Sequence, residues 1–80
     1  MKKLKDVFCE SLNIEQEIVT DDLEYNSIPE WNSVAHMKLV AAIDENCNIM
    51  LETEDVIDMS SYGKIKSILS KYNVSQDVLV

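Results

Sequence analysis

The sequence predicts an all-α protein: a four-helix bundle with three longer helices, one short helix, and a long loop between the first and second. Three observations carry this reading. Apolar residues recur at helical spacing in several windows. One glycine and one proline leave little material for tight hairpins. Apolar residues make up 46% of the 80-residue chain, enough for one core and too many for a disordered acidic tail. The chain therefore reads as one domain, residues 1–80. At that size it hides only about 60–65% of its unfolded surface, so its stability is marginal.

Leu4, Val7, Phe8, Ser11 and Leu12 define a first helix from about Lys2 to Leu12, with Asn13 able to close it in a left-handed conformation. Residues 14–30 have no clean period and contain six acids and no base. Ile14, Ile18, Val19, Leu23 and Ile28 are expected to pin this stretch to the core as an ordered loop. Loops of such length in compact domains are uncommon and often functional. A second helix spans Ser33 to Cys47. A third, short helix fits Thr53 to Ile57, with Thr53 as N-cap and Glu54 and Asp55 complementing the helix dipole. The fourth starts at Ser60 or Ser61 and runs to about Tyr72, on a stripe of Tyr62, Ile65, Ile68, Leu69 and Tyr72. Residues 73–80 carry no strong pattern and are expected to fray.

The second helix is apolar on two sides. Leu39, Val40, Ile43 and Cys47 fall within one arc of about 100°, a core stripe. Val34, Met37 and Ala41 form another arc, about 60° or more away. Wide apolar arcs usually mean burial, which slightly favours a helix central to the bundle. The alternative is a partly exposed docking strip, in which a methionine would suit adaptable recognition.

The net charge of −8 comes from 15 acids against 7 lysines, with no arginine. Such a field repels nucleic acid and anionic membranes and favours a protein partner with a basic patch, although solubility alone is the commoner reason for acidity. No apolar run approaches the length of a membrane span, and the basic start lacks a signal-peptide apolar region. Cys9 and Cys47 show no metal-ligand spacing and are expected to be reduced, inert thiols in a cytosolic protein, with one disulfide left open. In that compartment the Asn73-Val74-Ser75 sequon carries no meaning.

Ser33 follows the only proline, Pro29, and the only tryptophan, Trp31, at the mouth of the second helix. Serine is a preferred N-cap, and for an arbitrary protein that role explains it. Asn32 could equally be the cap, which would free the Ser33 hydroxyl beside the positive end of the helix, a place suited to a phosphate ester.

The run from Trp31 to Cys47, Trp-Asn-Ser-Val-Ala-His-Met-Lys-Leu-Val-Ala-Ala-Ile-Asp-Glu-Asn-Cys, resembles the acyl carrier protein family around its Asp-Ser-Leu motif. Residues 48–56 are similar to the family's loop and short third helix, and residues 60–72 to its last helix. The tryptophan before the motif and the length resemble stand-alone carriers. The resemblance implies a non-catalytic protein carrying 4′-phosphopantetheine on Ser33. Acyl or aminoacyl groups would ride on that arm as thioesters, for fatty-acid, polyketide or related biosynthesis. It implies as partners a phosphopantetheinyl transferase and acyl-loading and acyl-transfer enzymes with basic patches. They would dock on Asn32, Val34, Met37, Ala41, Asp44 and Glu45 of a cytoplasmic monomer. Ala42, Ile43 and Ile65 could line a site for the acyl chain, or simply pack the core.

Two departures from the family stand out. Asn32 occupies the usual Asp position, removing a carboxylate that helps the transferase. His36 and Lys38 stand where many members are acidic, while residues 14–30 and 44–58 each hold six acids.

Other chemistries fit less well. A Ser33–His36–Asp44 triad lacks a Gly-x-Ser-x-Gly elbow for an oxyanion hole. Glu54 and Asp58 share a face but no EF-hand loop surrounds them, so no metal site is expected. Gly63 alone cannot make a phosphate loop. A peptidyl carrier is disfavoured because Gly-Gly-x-Ser is missing. The alternative from another class is an unmodified helical interaction module that docks a basic partner through the Val34–Met37–Ala41 strip and the acidic loops.

Overall fold

The computed structural model describes residues 2–79. Five α-helices and one 3-10 turn make up its regular structure, and no strand occurs among the described residues. The helices are α1 (Leu4–Leu12), α2 (Ser33–Cys47), α3 (Thr53–Asp58), α4 (Tyr62–Lys71) and α5 (Gln76–Leu79). The all-α expectation therefore holds, with one more helix than the four expected.

Three helices end by the same device. Asn13, Asn48 and Asn73 adopt left-handed backbones with φ of 55°, 54° and 63°. The next residue then folds back onto its helix. Ile14 N–H reaches Cys9 C=O at 3.2 Å, Ile49 reaches Asp44 at 3.1 Å, and Val74 reaches Leu69 at 3.3 Å. These bonds satisfy carbonyls that a helix end leaves without partners, while the apolar side chain covers the last turn. Asparagine takes the position that glycine usually fills, in a chain with a single glycine.

Helix α1 buries Leu4, Val7, Phe8 and Leu12, the stripe expected from its spacing. It starts at Leu4 rather than Lys2. Lys2 instead pairs its backbone with the side chain of Asn46 near the end of α2, at 2.9 Å in both directions. α2 has the boundaries expected from sequence and buries Leu39, Val40, Ile43 and Cys47 against the core.

The segment between α1 and α2 is an ordered loop. Ile14, Val19 and Leu23 are buried and Ile28 is half-buried, as expected of its pins. Ile18 is the exception, at 40% exposure. It closes the 3-10 turn Gln16–Ile18, whose tight geometry sends it outward while Gln16 donates to Asp6 of α1 at 2.7 Å. Further on, Tyr62 N–H donates to Leu23 C=O at 2.9 Å and Tyr25 N–H to Ser60 C=O at 2.8 Å, tying the loop to the start of α4. Gly63 allows this approach: a Cβ there would stand 3.3 Å from the Asp21 carbonyl oxygen.

One cap differs from expectation, and the other start is decided between its two candidates. Thr53 is the first residue of α3, and the capping position belongs to Glu52, which makes no side-chain cap bond. Of the two serines that could start the fourth helix, Ser61 caps α4 by accepting the Lys64 N–H at 3.1 Å. The largest correction is at the C-terminus, where residues 76–79 form α5 rather than fraying. Ser75 accepts the Asp77 N–H, and Val78 and Leu79 are buried. Adjacent apolar residues give no readable period over four positions, so packing decides this element. Val80 lies outside the described residues.

The core centres on Trp31, Phe8, Leu39, Ile43, Met59, Ile65 and Leu69. Phe8 meets Trp31 and Tyr62 edge-on, with ring centroids 5.3 and 4.9 Å apart. Each such contact adds about 0.5–1.5 kcal/mol beyond area burial. No polar or charged residue among those described is buried.

Candidate modification site

The site is built by the loop that delivers the chain to α2. Asn26, left-handed at φ 65°, donates its N–H to Trp31 C=O at 3.0 Å, and Trp31 N–H donates to Ile28 C=O at 3.2 Å. Trp31 is wholly buried, so the residues after it start from a fixed anchor.

Asn32 then caps the helix with both ends of its amide. Its Oδ1 accepts the Ala35 N–H at 2.9 Å, and its Nδ2 donates to Pro29 C=O at 3.2 Å. Ser33 is the first helical residue and is exposed. Among the described residues its hydroxyl makes no hydrogen bond, because the capping role is already filled. The backbone N–H groups of Ser33 and Val34 also have no protein acceptor there, which leaves them free to face an anion. The choice left open by the sequence resolves toward an asparagine cap and a free serine.

The second apolar arc of α2 is not buried. Val34 is 72% and Met37 60% exposed, and Ala41 is exposed as well, so this side of the helix is an open strip beginning next to Ser33. The burial that a wide apolar arc favours does not extend to this strip. A bundle of short elements covers α2 on only one side.

Asp44 and Glu45 separate. Glu45 is exposed, whereas Asp44 is half-buried and its Oδ1 accepts the Leu51 N–H at 3.2 Å. Ile43 and Ile65 are fully enclosed by the core, while Ala42 lies at a surface groove of about 420 Å³ between α1 and α2. The three do not form one lining.

Sequence reasoning missed two exposed apolar residues, Ile57 at 76% and Met50 at 85%. A signal for Ile57 existed. Val56 and Ile57 are about 100° apart on a helix of under two turns, so both cannot face the same core. Val56 is the half-buried one, and its C=O lies 3.2 Å from His36 Nε2. That contact joins α3 to the first half of α2.

His36 cannot serve Ser33 as a base. Its Nδ1 accepts the Trp31 indole N–H at 3.0 Å, and its Nε2 is directed at Val56. α3 is tied at its other side by Asp55, which accepts from the Tyr72 hydroxyl and pairs with Lys71 at 3.0 Å. The Tyr72 hydrogen bond, followed by Lys71, holds the Asp55 carboxyl below the ordinary aspartate range. The same bond to Asp55 pushes the Tyr72 phenol up. Cys9 and Cys47 are free, and burial raises both thiols, so neither is an activated nucleophile. Among the described residues no group of three metal-ligating side chains gathers, and no helix is long and apolar enough to cross a membrane.

No protein-family model, curated protein or solved structure matches this chain.

Proposed function

We propose that the protein is an acyl carrier, bearing 4′-phosphopantetheine on Ser33. The observation that carries this reading is the uncommitted Ser33 hydroxyl, exposed at the first position of α2 because Asn32 holds the cap. The resemblance of residues 31–56 to the carrier family supports it independently.

The residues fit a phosphate ester. The Ser33 oxygen would carry the phosphate, and the free N–H groups of Ser33 and Val34 would stabilise its charge at the positive end of α2. A flexible arm ending in a thiol would present acyl groups as thioesters to partner enzymes. Catalysis belongs to those partners.

Docking would use Val34, Met37 and Ala41, with Ile57 extending the apolar surface onto α3. Exposed acids such as Glu30, Glu45 and Glu54 would meet basic residues around a partner's apolar contact. The carrier type of four-helix arrangement belongs to this proposal too, with α5 as an addition in this chain.

The exposed strip also favours a second reading, an unmodified interaction module that docks a partner without any arm. Incubation with coenzyme A and a broad-specificity phosphopantetheinyl transferase separates the two. A carrier gains one arm at Ser33, and the module gains none.

A further inference from the structure

His36 is the chain's only histidine, and both of its ring nitrogens are engaged. An indole nitrogen can only donate, so Nδ1, facing Trp31 at 3.0 Å, is the bare nitrogen. The ring proton therefore sits on Nε2, which donates to the Val56 carbonyl at 3.2 Å. The imidazole and indole lie edge to edge across this bond, with planes 28° apart and centroids 6.1 Å apart, and the Tyr25 ring meets the imidazole at 5.2 Å. One side chain thus joins the loop, the first turns of α2 and the middle of α3.

α3 has few other attachments. None of its residues is fully buried; Val56 packs partly against the core, and the remaining side-chain hydrogen bonds run from Asp55 to Tyr72 and Lys71 of the α4 end. Trp31, by contrast, is wholly buried, so its indole N–H depends on a protein acceptor.

We infer that His36 is a proton-sensitive positioning residue: its neutral ring latches Trp31 and α3 to the start of α2, and its protonation releases the latch. An imidazolium has two donors and no acceptor. It would turn an N–H toward the indole N–H and leave a buried donor without a partner. Tyr25 is the titratable group in contact with the ring. Within two residues in sequence of the ring or its contacts, the charged groups are Glu24 and Glu30 on the loop, Lys38 on α2, and Asp55 with Glu54 and Asp58 on α3. None of these carboxylates lies within ion-pair distance of the imidazole, so none is already placed to replace the lost bond. Met37 and Ile57 adjoin the latched residues, and release would rearrange the apolar face beside Ser33. The inference goes beyond the carrier reading and stands whether or not Ser33 is modified.

Trp31 is the only tryptophan, so its emission reads the contact directly. The full chain is titrated from pH 8 to pH 5.5, with far-UV circular dichroism recorded at each step. Wild type is expected to lose emission intensity along a single-proton curve. His36→Gln offers an amide oxygen to accept and an amide nitrogen to donate, without titrating. It should keep the wild-type emission of pH 8 and lose the pH-dependent change. An unchanged transition in His36→Gln, or flat wild-type emission, would overturn the inference. Nitrogen NMR of the single imidazole in wild type gives a second reading that needs no variant. The Nε2–H tautomer at pH 8 is expected, and the Nδ1–H tautomer would overturn it.

Discussion

The Asn32 side chain accepts the Ala35 N–H at 2.9 Å, and this one bond decides what Ser33 is free to do. A serine in the capping position would spend its hydroxyl on the helix backbone. Displaced by one residue, it faces solvent instead.

The two residues should therefore differ in stability terms. Asn32→Ala removes a cap worth about 1 kcal/mol, which lowers the melting temperature of a domain this size by roughly 4–8 °C. Ser33→Ala removes no bond and should stay within about 0.5 kcal/mol of wild type. Thermal unfolding of both variants checks the assignment. Equal losses would make Ser33 a structural partner in the cap.

The apolar strip should matter for partners and not for folding. Met37→Glu and Ile57→Glu alter exposed side chains and are expected to shift stability by no more than about 0.5 kcal/mol. In transferase kinetics they should raise KM by roughly fivefold, the equivalent of about 1 kcal/mol of lost docking. Unchanged kinetics in both variants would remove the strip from the recognition surface.

Acid should loosen α3. Asp55 is held below its ordinary value of 3.8 by Tyr72 and then Lys71. A depressed carboxylate contributes stability that is fully present above the unfolded value and is lost as pH falls through the folded one. Melting temperature measured from pH 6 downward should therefore fall below about pH 4 more steeply in wild type than in Asp55→Asn. Tyr72→Phe should flatten the same limb. Parallel curves would mean that the contact does not contribute.

Helix α5 should contribute measurably to stability. Leu79 is buried among residues that pack on the core, so Leu79→Ala is expected to cost roughly 2 kcal/mol or more by chemical denaturation. A frayed terminus would give almost none.

What could be read in advance follows from physical periodicity. α2 has 15 residues with apolar positions at helical spacing and an amide cap before it, and both ends were legible. Asn13 was legible as a left-handed stop, whereas the same Asn–apolar device at Asn48 and Asn73 becomes a rule only when the three helix ends are compared. α5 is too short for any period to show. The site was legible as an alternative: the sequence placed Asn32 and Ser33 side by side, and only the geometry of the amide assigned the cap. Exposure of Val34 and Met37 was hidden for another reason. Burial depends on which neighbours cover a helix, and α3, a short element without a buried residue, leaves that side open.

Intact mass after incubation with coenzyme A and a broad-specificity phosphopantetheinyl transferase tests the central claim most directly. The account predicts one added phosphopantetheine arm on wild type, and an unmodified mass for Ser33→Ala that melts as wild type does. A folded wild-type protein that gains no mass with several transferases, or a Ser33→Ala variant that still gains the arm, would contradict it.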